Sequence, residues 1–587
     1  MNRINARKNE YFYFDLAAAL LGAVLFAFFF ATARLGMPTV DEADYCNLRY
    51  LQGDIPFVEW WDPMQLFWLV TSPIVALYIK LVGSATGLLL FMRYLFLALD
   101  ALTYVFLCRR LRAYGAAGLG SALLFCAAAP QTLLAVSYFT VAEFTFMLAA
   151  VTLLIDPNKK RPLPLALLGA VFAVGVMSEP FLVIIYIIYI AAVGVRTLAK
   201  KKKTFLENYA FALDARIALW FTLGAFIVFA ALMAYLLARG TFSRLGEMLP
   251  YIFGGVKYNS AASVINFDKL RLALGYYGVF PAVGFALLLA GSAVSYFRPA
   301  RVLRLSLFAA SCLLAAWCWG RGFYDAFIAK NVDIVLFINY HGLLLLPCAW
   351  IWLLASGWRD SRLMSLCAAA TLYSLAVDAA SSSLLGTGGA LAFLPAAVGF
   401  RSLWGEAAAL LKEKQLKTLR RSLCAAVTAA ACVCGVCLAC WEGAFVGLET
   451  LDSPIERHIA AGFDPSGAPY AATLAEGPFK GIVTSQKIAD IYNGALADLD
   501  TVKAEADGAP VMIYGFTPFA YLHLELPYGV HGAWYEGDLA RTLAFWEKFP
   551  DRRPAFVYVP LFDNLFWVMQ RDLGGAGAAE AYLRRAA

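Results

Sequence analysis

The residues best suited to chemistry lie in one stretch, Thr39 to Gln65, which reads TVDEADYCNLRYLQGDIPFVEWWDPMQ and directly follows the first hydrophobic segment. The stretch begins with an adjacent acid pair, Asp41 and Glu42, and ends with an aromatic run before Asp62. Charged groups beside a hydrocarbon layer are costly and are usually retained for function. A carboxylate in a partly dry cavity can act as a general base toward a hydroxyl group. The stretch therefore predicts acid–base chemistry at the edge of an apolar region.

The rest of the chain supplies many apolar segments around this stretch. Of its 587 residues, 61% are hydrophobic and 15% are charged, whereas a soluble domain is nearer half apolar and a quarter charged. The first apolar run, Phe14 to Ala33, is long enough to span a membrane and lacks a clear cleavage site. We interpret it as a first span whose N-terminus lies in the cytoplasm. Apolar runs of similar length predict about thirteen spans in all.

Basic residues predict the orientation of these spans, because cytoplasmic loops are enriched in Lys and Arg. The clusters that we assign to the cytoplasm are Arg109 to Arg112, Lys159 to Arg161, Lys200 to Lys203, Arg298 to Arg304, Arg359 to Arg362 and Lys412 to Arg421. This alternation requires that Ala85 to Leu107 spans, while Leu66 to Val82 lies along the outer surface as an interfacial helix. The net charge of +7 then reflects cytoplasmic loops, and nucleic-acid binding is not expected.

The composition changes after Trp441, which divides the chain into a predicted transmembrane domain, residues 1–441, and a predicted soluble domain, residues 442–587. In the second part we predict strands at Lys480–Thr484, Val511–Tyr514 and Ala555–Val559. A helix is predicted from Gln486 to Leu499, with Ile488, Ile491, Tyr492, Ala495, Leu496 and Leu499 on one face. A second helix follows Asp538, with Leu539, Leu543 and Trp546 on one face. Alternating strands and helices predict a small α/β domain outside the cytoplasm.

The opening of the acid-rich stretch resembles the first external loop of C-type (GT-C) glycosyltransferases, in particular the lipid A aminoarabinose transferase and protein O-mannosyltransferase group. Those loops open with Asp-Glu-x-x-Tyr, which is matched here by Asp41, Glu42 and Tyr45. A Gly-Asp, here Gly53 and Asp54, and a hydrophobic Pro-containing segment follow at similar spacing. The resemblance implies a polytopic α-helical, GT-C-like membrane enzyme with an extracytoplasmic C-terminal α/β domain.

The same resemblance implies an inverting glycosyltransferase of the plasma or inner membrane. Such an enzyme moves a sugar from a polyprenyl-phosphate donor to an envelope lipid, glycan or protein on the outer face. The alternative function is a transporter or flippase of lipid-linked sugars. Transporters of that kind often contain inverted repeats and broken helices that meet at the midplane, and no such repeat is visible in this sequence.

The resemblance also implies roles for the acids. Asp41 is the candidate base, and Glu42 is expected to orient the acceptor or to help bind a metal. The structural alternative for Asp41 is a helix cap. Tyr45 and Asp62 are candidate substrate-binding residues of the same loop. Glu143 is a further catalytic candidate after the third span, where relatives carry an aromatic residue and an Asp at shorter spacing; its alternative is a solvated helix start.

Cations are expected to stabilise the departing lipid phosphate. Arg93 lies where related transferases carry an arginine, and its alternative role is snorkelling to headgroups. Further candidates in a predicted outer loop break the positive-inside pattern and are expected to hold an anion: Lys257, Lys269 and Arg271. His341 is a further substrate-binding candidate, with a buried hydrogen-bonding role as its alternative. Glu179, before Pro180, stands where relatives often carry a basic residue. It indicates either a different donor sugar, such as one that carries an amino group, or an exposed turn, and we favour the turn.

The sequence predicts no certain cofactor. It contains no Walker motif, dinucleotide fingerprint or His-Cys zinc pattern. A monophosphate leaving group carries less charge than a diphosphate, so Arg and Lys could suffice, and a divalent metal ion is left open. The cluster of Cys432, Cys434, Cys437 and Cys440 is interpreted as small residues for helix packing. The expected partners are the lipid-linked donor, an envelope acceptor and membrane lipid.

Overall fold

The computed structural model describes most of the helical part and most of the C-terminal part of the chain. The described residues are 2–38, 40–44, 46–62, 65–127, 135–155, 161–199, 213–253, 279–297, 301–323, 334–356, 361–379, 389–413, 470–514, 517–532 and 539–559.

Helices form nearly all of the described chain before residue 414. The helices of its first half are α1 Asn2–Thr32, α2 Val40–Asp44, α3 Arg49–Gln52, α4 Leu66–Val82, α5 Leu88–Leu111, α6 Gly115–Ala127, α7 Tyr138–Leu154, α8 Pro162–Ser178, α9 Leu182–Leu198, α10 Ala215–Ala238 and α11 Thr241–Phe253. Those of the second half are α12 Val279–Phe297, α13 Arg301–Phe323, α14 Ile334–Ala355, α15 Ser361–Ser374 and α16 Phe393–Glu413. Short 3-10 turns lie at Arg112–Tyr114 and Gly389–Ala392, and a π-helical turn, Leu375–Ala379, follows α15.

Several of these helices are suited to a membrane. Four described segments are long and apolar enough to cross one: Tyr11–Thr32, Leu88–Ala127, Ala215–Ala238 and Arg301–Gly320. The second of these contains α5, the 3-10 turn and α6, and the two helices pack against each other. Shorter apolar helices, including α8 and α9, pack beside them. The chain is therefore a helical protein with apolar helices that can span a membrane, and the count of about thirteen spans stays a prediction.

The first helix and α5 run antiparallel to each other. Arg93, near the start of α5, donates from Nη1 to the carbonyl oxygen of Ala33 at 2.8 Å, just after α1 ends. Farther along, Tyr104 donates from its hydroxyl to the carbonyl oxygen of Ala18 at 2.8 Å. Arg112, after α5, donates to the carbonyl oxygen of Tyr11 at 3.1 Å. These contacts set the register of the pair and place Arg93 and Arg112 at opposite ends.

The predicted helix Leu66–Val82 is confirmed as α4, and both of its ends lie against the C-terminal part. Before its start, the amide of Trp61 donates to the carbonyl oxygen of His531 at 3.0 Å. After its end, the amide of Ala85 donates to Oε1 of Glu525 at 3.1 Å. A helix that crosses a membrane has its ends on opposite sides. Contacts with one domain at both ends therefore support the predicted position of α4 along a surface.

The C-terminal part combines short strands and helices. Its elements are β1 Ala472–Thr473, β2 Val483–Thr484, α17 Gln486–Ala506, β3 Val511–Ile513, α18 Phe519–Leu524, α19 Leu539–Lys548 and β4 Phe556–Tyr558. β1 and β2 pair antiparallel, whereas β3 and β4 pair parallel with Val511 opposite Phe556. The three predicted strand regions and both predicted helices are present among the described residues.

Two helical details differ from the sequence prediction. α17 continues to Ala506, because its buried face extends beyond Leu499. In α19 the buried residues are Thr542, Phe545 and Trp546, whereas Leu543 is 38% exposed. Of the predicted face, Trp546 is confirmed as buried and Leu539 packs against the core. Only Leu543 was wrong, because apolar character favoured it while burial follows the position of the helix on the domain.

Glycines allow close approach of α8 and α10 in the apolar part. A Cβ atom built on Gly169 would lie 1.8 Å from the carbonyl oxygen of Phe221. A Cβ atom on Gly224 would lie 1.7 Å from the carbonyl oxygen of Ala166. Neither methyl group can be accommodated without separating the two backbones. Small residues that let helix backbones approach are typical of membrane helix pairs.

We expect Gly169→Ala to lower the thermal midpoint of the purified protein, because overpacking typically costs about 1–3 kcal/mol. The matched control is Gly194→Ala in α9, where an added Cβ has no neighbour within 4 Å. Alanine favours a helix over glycine, so the control should be neutral or slightly stabilising. Equal midpoints for Gly169→Ala and the parent protein would contradict this helix contact.

Candidate functional site

The chain that leaves α1 enters the C-terminal part at once. The amide of Val483 donates to the carbonyl oxygen of Arg34 at 2.7 Å, and the amide of Gly36 donates to the carbonyl oxygen of Val483 at 3.0 Å. α2, which carries the acid pair, packs against α18 of the same part. The acid-rich stretch is therefore enclosed between the helical part and the C-terminal part.

Glu42 and Arg93 form a fully buried ion pair. Nε of Arg93 donates to Oε2 of Glu42 at 2.8 Å, and Nη2 donates to Oε1 at 3.2 Å. The exposed fractions of the two side chains are 1% and 0%. Nη1 of Arg93 donates to the carbonyl oxygens of Ala33 at 2.8 Å and Gly36 at 3.3 Å. A bidentate pair of this kind fixes both direction and distance.

This pairing changes the interpretation of both residues. Arg93 does not snorkel, because its side chain is buried and its guanidinium donates within the protein from Nε and both Nη atoms. Glu42 is held by Arg93, so its carboxylate positions α2 against α5. The role of Arg93 in binding a lipid phosphate stays a prediction, and in this arrangement the guanidinium faces Glu42 instead.

Asp41 precedes Glu42 within α2. The helix spans Val40–Asp44, so Asp41 lies inside it, whereas an N-cap residue precedes the first helical residue. This position does not favour the capping alternative. The end of α2 is anchored by Trp68 of α4, whose Nε1 donates to the carbonyl oxygen of Asp44 at 2.8 Å. Tyr45 lies outside the described residues.

A second set of charges joins α3 and the loop after it to Arg552 of the C-terminal part. Nη1 of Arg49 donates to Oδ2 of Asp54 at 3.2 Å and to the carbonyl oxygen of Glu59 at 3.0 Å. Nη2 of Arg552 donates to Oδ1 of Asp54 at 2.6 Å and to Oε1 of Glu59 at 3.2 Å. Arg49 also lies over the ring of Tyr528, 4.3 Å from its centroid. These contacts fasten the loop to the C-terminal part.

Asp54 is the centre of this charge network and is 2% exposed. Burial raises the pKa of its carboxyl group above the ordinary value, although the guanidinium groups of Arg49 and Arg552 favour the ionised form. Gly53, which precedes it, has a φ of 95°, a left-handed conformation that glycine adopts readily. Arg239, after α10, donates to the carbonyl oxygens of Gly53 and Asp54.

Trp61 is the aromatic anchor of the stretch. Its ring stacks on Tyr251 of α11 at a centroid distance of 4.6 Å and on His531 at 5.6 Å. Phe545 of α19 meets it edge-on at 5.4 Å. Arg541 donates to its carbonyl oxygen. The tryptophan therefore joins α11, the acid-rich stretch and the C-terminal part at one point.

Gln65 shapes the end of the stretch. Its Oε1 accepts from the amide of Phe57 at 2.7 Å, and its Nε2 donates to the carbonyl oxygens of Trp60 at 3.1 Å and Asp62 at 2.7 Å. The Gln65 side chain is 0% exposed. Asp62 is half-buried beside it, so this substrate-binding candidate belongs to the same folded loop as Glu42.

Glu143 lies in the second turn of α7 and is 1% exposed, so the alternative of a solvated helix start does not hold. Ser137 is the N-cap of the helix, and its side chain accepts from the amide of Thr140 at 3.1 Å. Glu179 is also fully buried, at 0% exposure. The exposure predicted for Glu179 was wrong, because the residue is the C-cap of α8, with its amide donating to the carbonyl oxygen of Gly175 at 2.8 Å, and the surrounding fold buries its side chain.

The remaining cation candidates cannot be placed. Lys257, Lys269 and Arg271 lie outside the described residues. His341 lies within α14, but its side chain is not among those described. Among the described residues, no three His, Cys, Asp or Glu side chains form a group that could hold a metal ion.

Sequence reasoning missed the residues that hold the site together. Three of them, Arg49, Trp61 and Gln65, lie in the acid-rich stretch itself. Their residue types, one basic, one aromatic and one polar, could have marked them as candidates. Arg552 and His531 gave no signal, because their contacts join positions hundreds of residues apart.

His531 should make the attachment of the C-terminal part sensitive to acid. It is 6% exposed, and burial, with Arg541 and Arg49 nearby, lowers its pKa well below the ordinary 6.5. A lowered folded pKa means that stability is fully present above about pH 6.5 and is lost as the pH falls toward the folded value. We expect the free energy of unfolding to fall by at most about 1.4 kcal/mol per pH unit in that range.

The measurement is the thermal midpoint of the protein between pH 7.5 and pH 5. His531→Phe keeps an aromatic ring on Trp61 and should lose part of the acid sensitivity. His523→Phe removes another histidine of the same part and should retain the sensitivity of the parent. An identical pH profile for His531→Phe and the parent would contradict the assignment.

Comparison with known protein families, curated protein sequences and solved structures finds no match for this chain.

Proposed function

We propose that this protein is an inverting membrane glycosyltransferase that moves a sugar from a polyprenyl-phosphate donor to an envelope lipid, glycan or protein. The observation that carries the proposal is the ion pair between Glu42 and Arg93. It fixes α2, and with it Asp41, between the apolar helix α5 and α18 of the C-terminal part. A carboxylate at such a boundary can meet both a lipid-linked donor and a polar acceptor.

The proposed reaction is a single displacement at the anomeric carbon. The acceptor hydroxyl oxygen forms a bond to that carbon as the bond between the carbon and the lipid-phosphate oxygen breaks. Asp41 takes the hydroxyl proton, and the electron pair of the broken bond leaves with polyprenyl phosphate. Attack opposite the leaving group inverts the configuration. General-base assistance of this kind typically contributes about 10²- to 10⁴-fold in rate.

Glu42 and the cations have separate roles in this proposal. Glu42 positions α2 through Arg93, and orientation of the acceptor falls to Asp62 and Tyr45. Lys257, Lys269 and Arg271 bind the lipid phosphate, because charge-assisted contacts to phosphate are stronger than neutral hydrogen bonds. Glu143 of α7 stays a catalytic candidate and His341 of α14 stays a substrate-binding candidate in this proposal. Several cations can stabilise a monophosphate leaving group, and a divalent metal ion stays open in this proposal.

The proposed site lies on the outer face of the cell membrane, with the N-terminus in the cytoplasm. Contacts between the helical part and the C-terminal part support a site at one end of the helices. The chain just after α1, the start of α5 and α11 all contact the C-terminal part, through Arg34, Leu89 and Glu247 respectively. Arg109 and Arg110, in the last turn of α5, lie at the other end of that helix. This separation agrees with basic cytoplasmic loops and an external domain.

The test is the release of polyprenyl phosphate by purified protein. The protein is supplied with synthetic polyprenyl-phosphate pentoses and hexoses and with an envelope fraction as acceptor, without an ion gradient. We expect free polyprenyl phosphate to appear in proportion to glycosylated acceptor, measured by mass spectrometry. A transporter would leave the lipid-linked sugar intact, so failure of release with every donor would contradict the function.

Asp41→Asn should lower the transfer rate about 10²- to 10⁴-fold at saturating donor, because asparagine retains the shape but cannot accept the proton. Its thermal midpoint should match that of the parent. Glu476→Gln, an exposed acid of the C-terminal part, is the matched control and should keep full activity. A stable Asp41→Asn protein that transfers at nearly the parent rate would refute Asp41 as the base without refuting the function.

A further inference from the structure

A basic groove lies at the end of the molecule away from the acid-rich stretch. Its volume is about 650 Å³, and its described lining residues are Leu102, Val105, Phe106, Arg109, Arg110, Ala113, Tyr114, Ile155 and Arg362. The lining combines apolar residues of α5 with three arginines from two separate parts of the chain. No acidic residue is among these described lining residues.

The groove is distinct from the proposed transfer site. Arg93 and Arg109 both belong to α5 and are separated by a helical length of about 24 Å, at 1.5 Å per residue. Arg93 is buried and paired with Glu42, whereas Arg109 is exposed. Arg112, the next basic residue, donates to the carboxylate of Asp15 and belongs to the contact between α1 and α5 instead.

An apolar stripe leads along α5 to the arginines. Leu99, Leu102 and Val105 are 38%, 67% and 46% exposed, respectively. Their spacing of three residues places them on one side of the helix. Arg109 lies farther along the same side. Arg110 lies over the ring of Phe106, 5.3 Å from its centroid. The surface therefore presents an exposed hydrocarbon track that ends in a cluster of guanidinium groups.

We propose that this groove binds one anionic glycerophospholipid. The arginines Arg109, Arg110 and Arg362 hold the headgroup phosphate, and an acyl chain lies along Leu99, Leu102 and Val105. Guanidinium groups donate pairs of hydrogen bonds that match phosphate geometry. The apolar stripe distinguishes a lipid from a soluble phosphate, because a free anion gains nothing from exposed leucines.

The position of the groove agrees with a lipid of the cytoplasmic leaflet. Arg109 and Arg110 stand at the C-terminal end of α5, within the segment Leu88–Ala127 that can span a membrane. Arg362 stands near the start of α15. Anionic lipids attract basic residues near the surface by about 1 kcal/mol per charge. A lipid held here would link α5 to α15.

The experiment measures binding of fluorescent phosphatidylglycerol to the purified full chain in phosphatidylcholine nanodiscs at low salt. The combined variant R109Q, R110Q and R362Q should weaken binding roughly 10- to 100-fold. The control variant R161Q, R216Q and R401Q removes the same charge from exposed arginines elsewhere and should bind as the parent does. An equal loss in both variants, or none in either, would overturn the proposal.

A second variant distinguishes lipid binding from the binding of a soluble anion. It also keeps the proposal testable if the triple arginine variant does not fold. Leu102→Asn changes an exposed position and should weaken phosphatidylglycerol binding severalfold while the arginines remain. Inorganic phosphate at millimolar concentration should not displace the fluorescent lipid. Unchanged binding in Leu102→Asn, or displacement by inorganic phosphate, would show a soluble-anion site and overturn the lipid assignment.

Discussion

The buried ion pair between Glu42 and Arg93 is the interaction on which the rest of the site depends. Withdrawing two charges from water costs several kcal/mol per ion, and the cost is recovered only when geometry and further hydrogen bonds are good. Here the pair is bidentate, and Nη1 of Arg93 also donates to carbonyl groups after α1. One arginine therefore joins the chain after α1, Glu42 of α2 and the start of α5.

A second set of contacts lies where the acid-rich stretch meets the C-terminal part. Asp54 accepts from Arg49 within the acid-rich stretch and from Arg552 of the C-terminal part, and Trp61 packs between Tyr251 and His531. The C-terminal part therefore packs over the acid-rich stretch, and charge and aromatic contacts attach it there. Its attachment limits the motion of a loop that the proposed reaction requires to be fixed while donor and acceptor meet.

Local sequence patterns predicted helices and strands of this protein, but not which of them contact each other. Hydropathy located both ends of α4, and turn chemistry located the strand that contains Val511. Both predictions succeeded because these signals depend on neighbouring residues. The acid pair drew attention to α2, but nothing near Glu42 indicates an arginine 51 positions later. The burial of Glu179 and the exposure of Leu543 in α19 were missed for the same reason, since both depend on which element packs opposite.

The most direct test of the account is a double-mutant cycle on Glu42 and Arg93, read as the free energy of unfolding in mixed micelles. Glu42→Gln and Arg93→Met should each cost about 3–5 kcal/mol, because each leaves its partner buried and uncompensated. The double variant should cost clearly less than the sum of the two, since neither charge remains. Additive losses would show that the two side chains act independently and would contradict the central role of the pair.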